Sequence, residues 1–86
     1  MNEVEVFKAL ADPTRLKILE CAKNGEKCIC EIIPVTGKSQ PNVSQHLKIL
    51  KNTGLIHERK DGTNILVQAA NEDIFKIIDI VKRMKE

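Results

Sequence analysis

The segment from Gly37 to Ile56, GKSQPNVSQHLKILKNTGLI, constrains the fold more than any other part of the chain. Ser39 is a typical helix N-cap, a proline in the first turn costs no hydrogen bond, and Gly54 suits a helix end. At about 100° per residue, one side of this helix is apolar and the other is polar. The apolar side carries Val43, Leu47 and Leu50. The segment therefore predicts a helix that packs on a core and exposes a polar face.

Helices dominate the rest of the predicted structure, and one hairpin is the exception. Asp12-Pro13 predicts a helix start, and Pro34 predicts a helix end followed by a turn over 35–38. Lys60-Asp61-Gly62-Thr63 joins two short strands, because Asp-Gly favours a tight turn. The predicted helices span 2–10, 13–24, 28–33, 39–54 and 72–85, and the strands span 55–59 and 63–68. On the second helix, the residues expected to face inward are Leu16, Ile18 and Leu19.

The order helix, helix, helix, helix, hairpin, helix is that of a winged helix-turn-helix domain. The predicted fold class is therefore mainly α with a small β-hairpin, as one domain over residues 1–86. Such a short chain has a modest core, and a broad apolar stripe on the last helix favours a homodimer. The stripe consists of Ile74, Ile77, Ile78, Val81 and Met84, extended by Phe75 and Ile80, and the first helix adds Val6 and Phe7.

The polar face of the helix over 39–54 carries side chains that suit base and phosphate contacts. Gln45 matches the two hydrogen-bonding groups of adenine, serine suits either base type, and Lys48 suits phosphate. The first turn, capped by Ser39, offers free N–H groups to a phosphate. Arg59 and Lys60 at the hairpin tip suit the DNA backbone or the minor groove. The candidate DNA-binding residues are Ser39, Gln40, Pro41, Asn42, Ser44, Gln45, Lys48, Arg59 and Lys60.

An ordinary amphipathic helix with a solvated polar face is the alternative interpretation of the same residues. The net charge of +2, from 14 basic and 12 acidic residues, points only weakly to nucleic acid. The turn before the helix and the hairpin after it are what favour DNA binding. His46 lies near the edge of the apolar face and is predicted to be a partly buried structural residue, with a base contact as its alternative. His57 has no predicted role.

Cys28 and Cys30 form a C-x-C pair at the start of the third predicted helix. In a regular helix their side chains point about 200° apart, whereas a distorted first turn brings them onto one ion. Thiolates select soft ions such as trivalent arsenic, cadmium, lead or zinc, and a helix N-terminus favours the thiolate. Cys21 is a candidate third ligand. The alternative is that all three cysteines fill the core, and a disulfide framework is not expected in a reducing compartment.

Four stretches of this sequence resemble the ArsR/SmtB family of metal-responsive transcriptional repressors. They are FKALADPTRLKIL, KCICEI, SQPNVSQHLKILKNTGLI and RKDGTNILV, and the resemblance covers nearly the whole chain. It implies a homodimer that binds operator DNA without an inducer and leaves it when loaded. It also implies that Cys28 and Cys30 are thiolate ligands, as the matching pair is in the arsenite-sensing members.

Two departures from the family leave the third ligand open. Arsenite-sensing members often carry a further cysteine soon after the pair, in the neighbourhood where this chain has Ile33. Other members use N-terminal cysteines, which this sequence lacks. Members that sense zinc through the last helix use histidine and carboxylate ligands there. The last helix here, NEDIFKIIDIVKRMKE, has no histidine, so the resemblance implies that this zinc site is absent.

These features lead to three functional hypotheses. The first is a repressor that needs no cofactor to bind double-stranded operator DNA and is released by a thiophilic metal or metalloid ion. The second is a redox-responsive regulator using the same cysteines, and the third is a winged helix that only binds other proteins. No phosphate-binding glycine loop, metalloprotease motif or arranged nucleophile–base pair indicates an enzyme. The acidic N-terminus lacks a signal-peptide pattern and no apolar run matches a membrane span, which predicts a cytoplasmic protein without a membrane partner.

Overall fold

The computed structural model describes residues 2–84 and shows the predicted succession of helices with a hairpin near the end. Within these residues the helices are α1 (Glu3–Leu10), α2 (Pro13–Cys21), α3 (Ile29–Thr36), α4 (Gln40–Asn52) and α5 (Asp73–Arg83). The strands are β1 (Lys27–Cys28), β2 (Ile56–Asp61) and β3 (Asn64–Ala69). In this described part of the chain, every helix is too short or too polar to cross a bilayer. The predicted class, mainly α with a small hairpin, is confirmed.

β2 and β3 form the predicted hairpin, which we call the wing. Asp61 pairs with Asn64, so that only Gly62 and Thr63 form the loop. Gly62 has a φ of 63°, a left-handed conformation that glycine adopts without steric cost. β2 therefore ends later than predicted, at Asp61, because the turn takes two residues instead of four, and β3 is shifted by one residue to Asn64–Ala69.

The sequence does not predict β1, a two-residue strand that completes an antiparallel sheet in the order β1-β3-β2. Lys27 pairs with Val67 and Cys28 pairs with Leu66 of β3. Two residues are too few to show the alternation of a strand, and β1 depends on β3 for its hydrogen bonds. The strand joins the cysteine-bearing segment directly to the wing.

α3 differs most from its prediction, because it continues through Pro34 to Thr36 instead of ending at the proline. A proline inside a helix removes the hydrogen bond to the carbonyl four residues earlier. Burial of Ile32 and Thr36 compensates by holding both halves of the helix against the core. Gly37 then ends the helix in the left-handed conformation, with a φ of 68°. The prediction of a turn at positions 35 and 36 is therefore wrong.

The core lies between the helices and the sheet, and α1 contributes Ala9 to it. Ile18 and Leu19 of α2 are fully buried, but Leu16 is 36% exposed and faces α1 and α5, contrary to its prediction. Ile74 and Phe75, which were predicted to belong to the exposed stripe of α5, are also buried in this core. The buried cluster consists of Ala9, Ile18, Leu19, Ala22, Ile32, Val43, Leu47, Leu50, Leu55, Ile56, Val67, Ile74 and Phe75.

The ends of the other helices agree with their predictions to within a few residues. Asn2 caps α1 instead of forming its first residue, and its side chain accepts a hydrogen bond from the N–H of Glu5 at 2.9 Å. α2 ends at Cys21, a few residues before the predicted stop. α5 begins at Asp73, and its predicted end at Lys85 lies outside the described residues.

Asp12 caps α2 as predicted. Its Oδ1 accepts hydrogen bonds from the backbone N–H groups of Thr14 at 2.8 Å and Arg15 at 3.1 Å. Partial burial acts to raise the pKa of Asp12, but these hydrogen bonds and the positive charge of Arg15 outweigh burial and hold the pKa below its ordinary value. The ionised carboxylate therefore stabilises the first turn of α2.

Asp12→Ala is expected to lower the free energy of unfolding by about 1 kcal/mol, because two N–H groups lose their acceptor. Circular dichroism at neutral pH should show a thermal midpoint roughly 4–8 °C lower. Because the pKa of Asp12 is lower in the folded chain, the carboxylate's contribution is present above the ordinary value of 3.8 and is lost as the pH falls through the folded value. The difference between wild type and variant should therefore shrink in acid. The exposed Asp79 supplies the control Asp79→Ala, and equal midpoints for Asp12→Ala and wild type at neutral pH would contradict the capping role.

Candidate DNA-binding surface and cysteine pair

α4 presents the predicted polar face to solvent. Val43, Leu47 and Leu50 are at most 2% exposed and hold the opposite face on the core. Ser39 caps the helix by accepting a hydrogen bond from the N–H of Asn42 at 3.3 Å. The candidate residues of this segment are all exposed: Ser39, Gln40, Pro41, Asn42, Ser44, Gln45 and Lys48. They form one continuous surface, which we call the polar face of α4.

The polar face of α4 borders the wing across an open groove. Ser44 and Lys48 line the helix side of this groove, and Ile65 lines the wing side. Lys51 Nζ lies 3.3 Å from Glu58 Oε2, and this ion pair connects the end of α4 to β2. An exposed pair of this kind adds little stability, but it links α4 to the wing. The helix and the wing thus form two sides of one surface.

The two cationic residues predicted at the tip of the wing, Arg59 and Lys60, differ in their ion pairing. Arg59 donates hydrogen bonds to Glu26 through Nε at 2.6 Å and through Nη2 at 2.8 Å. The hydrogen bond from Arg59 lowers the pKa of the Glu26 carboxyl, and Glu26 in turn raises the pKa of the guanidinium. Lys60 is exposed and forms no ion pair with another residue of the described range 2–84. Sequence reasoning missed Glu26, because no periodic pattern relates two residues of different elements.

Arg15 connects three helices below the polar face of α4. Its Nε donates to the carbonyl of Ala9 at 2.6 Å, and its Nη2 donates to the carbonyl of Lys8 at 3.2 Å. Its Nη1 lies 3.0 Å from Nδ1 of His46. His46 is half-buried, as predicted for a structural histidine, whereas His57 is exposed on β2. The sequence gives no signal for Arg15, because a basic residue on an amphipathic helix usually faces solvent.

Cys28 and Cys30 come together at the junction between β1 and α3. Cys28 is the N-cap of α3, and its Sγ accepts a hydrogen bond from the N–H of Cys30 at 3.1 Å. The two sulfur atoms are joined as a disulfide, which corrects the expectation that these cysteines are not engaged in one. They meet because Cys28 has an extended backbone outside the helix, where the helical angle between the two side chains does not apply. Cys28 is buried and Cys30 is exposed.

Cys21 stands apart from this pair. It is half-buried at the end of α2 and lines a cleft with Lys27 and Glu31. Burial and the negative charge of Glu20 raise the pKa of its thiol, which disfavours the thiolate. Across residues 2–84, no three histidine, cysteine or carboxylate side chains gather into a group that could hold a metal. After reduction the Cys28–Cys30 pair would offer a donor set of two sulfurs, and the structure does not add Cys21 to it.

The helix-turn-helix part of the chain matches a known family of regulators. The family is described as "Bacterial regulatory protein, arsR family", and the match covers residues 12–58, more than half of the 86-residue chain. The chain belongs to the arsR family. Because its relatives are DNA-binding transcriptional regulators, the predicted class of repressor is confirmed at the level of the family, and the prediction that the chain is not an enzyme is also confirmed.

Three similar proteins place this arsR-family chain more closely. An HTH-type transcriptional regulator of Methanocaldococcus jannaschii is 46% identical over 79 residues, covering 87% of this chain and 89% of the relative. The arsenical resistance operon repressor of Escherichia coli is 43% identical over 60 residues, covering 69% of this chain but only 51% of the repressor. The homodimeric winged helix-turn-helix DNA-binding domain of a Mycobacterium bovis protein superposes with a TM-score of 0.81 at 33% identity, covering 95% of this chain and 76% of that chain. The winged helix-turn-helix fold is thereby confirmed.

Proposed function

We propose that this chain, as a single winged helix-turn-helix domain, is a homodimeric repressor of operator DNA that is released when a thiophilic ion binds Cys28 and Cys30. One observation carries the DNA-binding part: the polar face of α4 is continuous and exposed, and the wing lies beside it. In this arrangement Gln45 reads base edges in the major groove, and Lys60 of the wing contacts the phosphate backbone. In the first turn of α4, Pro41 has no N–H and that of Asn42 bonds to Ser39, so a phosphate at this end is bound by the N–H of Gln40.

DNA binding is tested by selecting duplexes from a random-sequence library with the reduced protein. A shared pseudo-palindromic sequence is expected, because two-fold related copies of α4 enter major grooves about one helical turn apart. We call this selected duplex the operator. A library that yields no shared sequence after repeated rounds would contradict sequence-specific binding by this chain.

An apolar face formed by α1 and α5 supports the homodimer. Phe7 of α1 is 59% exposed, and Val81 of α5 is 50% exposed. A groove between the two helices is lined by Phe7, Leu10, Leu16, Ile77, Ile78 and Val81. Exposed apolar side chains that form a contiguous surface favour association, and a two-fold axis through this face places both α4 helices on one DNA molecule. Val6, also predicted to join this face, is partly buried and packs against the core.

Val81→Glu is expected to convert the dimer into a monomer, because a carboxylate at the centre of the apolar face would be buried without a partner. Sedimentation velocity at micromolar concentration measures the change. Val35→Glu is the matched control, since Val35 is 56% exposed on α3 and does not line the α1–α5 groove. A dimer that persists in Val81→Glu, or a wild type that sediments as a monomer, would contradict this interface.

The chemistry of the cysteine pair fits a soft ion. Thiolate sulfur binds trivalent arsenic, cadmium or lead in preference to hard cations. In the reduced pair, the N–H of Cys30 and the positive end of α3 would stabilise a thiolate on Cys28. Cys30 is exposed, so an ion reaches the pair from solvent. The name of the related Escherichia coli protein, an arsenical resistance operon repressor, supports a metalloid of this kind.

The cysteine junction contacts both parts of the DNA-binding surface. α3 packs against α4, and Cys28 of β1 pairs with Leu66 of the wing strand β3. An ion held by both sulfurs fixes the first turn of α3 together with the end of β1. We expect this to change the angle between α4 and the wing, which lowers operator affinity.

The bond between the sulfurs of Cys28 and Cys30 favours a second candidate, a redox-responsive regulator. A peroxide would take two electrons and two protons from the dithiol, forming the disulfide and water. The disulfide closes the same junction that an ion would close. The two candidates differ in what triggers release, and the same cysteine variants test both.

A further inference from the structure

The guanidinium of Arg15, on α2, forms hydrogen bonds with groups of two other helices, α1 and α4. Nε and Nη2 hold the carbonyls of Ala9 and Lys8, in the last turn of α1, at 2.6 and 3.2 Å. Both lie among the last four carbonyls of α1, and that of Lys8 also accepts a hydrogen bond from the N–H of Ala11 at 3.2 Å. Nη1 reaches His46 of α4 at 3.0 Å. One side chain on α2 therefore fastens the end of α1 to the middle of α4.

The charge of Arg15 defines the proton position on His46. A guanidinium only donates hydrogen bonds and stays protonated at every physiological pH, so Nδ1 of His46 must be the acceptor. The neutral imidazole then carries its proton on Nε2. Protonation would place an N–H at Nδ1, where it would meet a donor and a like charge. The contact therefore exists only with a neutral His46.

Arg15 joins α1, which is proposed to take part in the dimer interface, to α4, which is proposed to bind DNA. α1 carries Phe7 of the apolar face, and α4 carries Gln45, the residue adjacent to His46. We propose that Arg15 and His46 are positioning residues that set the orientation of α4 relative to the dimer face, and that this orientation is lost when His46 is protonated. The proposal rests on the proposed function, since it concerns how two copies of α4 fit one operator. In a two-fold dimer, a change in the orientation of α4 occurs in both protomers. Both α4 helices then fit the operator poorly, so binding to the operator falls more than binding to unrelated DNA.

Two charged groups of α2 act on a protonated His46, in opposite directions. Arg15 repels an imidazolium, and the ionised Asp12, at the N-cap of α2, attracts it. α1 contributes only backbone carbonyls to this contact, through Arg15. The residues one turn away on α4 are uncharged: Asn42, Val43, Ile49 and Leu50. A protonated Nδ1 cannot accept from Arg15, so protonation breaks the hydrogen-bonded link between α2 and α4.

The test measures the affinity of the reduced dimer for the operator and for a scrambled duplex, between about pH 8 and about pH 5.5, where histidines change charge. The ratio of the two affinities removes the general effect of protein charge on DNA binding. In the wild type this ratio should fall at least about fivefold toward acid pH, the lower end of usual coupling effects. His46→Gln, whose amide oxygen accepts from Arg15 at every pH, should keep the wild-type ratio at pH 8 and lose the fall. His57→Gln, at the only other histidine, should behave as the wild type.

Arg15→Lys separates positioning from charge. Lysine keeps the positive charge, but one ammonium cannot reach two carbonyls and His46. The ratio of operator to scrambled-duplex affinity should therefore be about fivefold lower than in the wild type already at pH 8. It should fall little further in acid. A purely stabilising role would change the melting temperature and leave the pH profile of the ratio intact. A fall in His46→Gln equal to that of the wild type, or a wild-type ratio in Arg15→Lys, would overturn the proposal. If the wild type selects no operator at all, the proposed function itself fails, which is a distinct outcome.

Discussion

Changing both Cys28 and Cys30 to serine is expected to abolish release from the operator and to leave binding without inducer intact. Serine hydroxyls do not hold soft ions, so the loss of affinity on adding ion, roughly 5- to 150-fold for a typical coupling of about 1–3 kcal/mol, should vanish. Serine at position 28 still caps α3, because its hydroxyl replaces the Cys28 sulfur as acceptor for the N–H of residue 30. Fluorescence anisotropy of labelled operator, titrated with protein in the presence of arsenite, cadmium or zinc, measures both properties.

Cys21→Ser is the matched control for this experiment. Cys21 is not gathered with the other two cysteines in the described structure, so its removal should leave the response unchanged. A double variant of Cys28 and Cys30 that still leaves the operator on adding ion would place the sensor elsewhere. A wild type that ignores all three ions and responds to peroxide would contradict the ion proposal in favour of the redox candidate.

Gln45→Ala is expected to weaken operator binding by about 1–3 kcal/mol and to relax sequence choice, because a bidentate contact to a base is lost. The side chain is exposed in the middle of the polar face of α4, with the apolar residues of that helix buried behind it. Affinities for the operator and for a scrambled duplex measure the effect. Only the affinity for the operator should fall.

Lys60→Ala and Gln68→Ala complete this comparison. Lys60 is proposed to contact phosphate, so its loss should weaken binding to both duplexes and flatten the salt dependence by about one unit of slope. Gln68 is exposed on β3 and has no proposed DNA contact, so Gln68→Ala should bind as the wild type. If Gln45→Ala keeps wild-type affinity for both duplexes, the assignment of α4 to base reading is wrong.

Periodicity and capping predicted the parts of the fold that depend on neighbouring residues. The spacing of Val43, Leu47 and Leu50 defines one face of α4, and that face is the buried one. Asp12 and Gly62 mark a helix start and a hairpin turn through their own side-chain and backbone properties. The polar surface follows from the same pattern, because burial of one face of α4 exposes the other.

Contacts between distant segments were not predicted, because no local pattern encodes them. β1 is too short to be recognised without its partner β3, and α3 passes through Pro34 because the core holds both halves of the helix. The positions of the cysteine sulfurs depend on that same junction. Arg59 matches a DNA-contacting cation in sequence, yet in the fold it is bound by Glu26. The residue type of Arg59 suggested a DNA contact, but its partner Glu26 is visible only in the folded structure.

The most direct test of the account is to measure the linkage between ion and operator in both directions on the reduced wild-type dimer. Operator affinity is measured with and without saturating arsenite, and arsenite affinity is measured with and without saturating operator. If the Cys28–Cys30 junction couples the two, arsenite lowers operator affinity by roughly 5- to 150-fold, and operator lowers arsenite affinity by the same factor. Operator affinity that stays unchanged at saturating arsenite would contradict release by an ion at this junction.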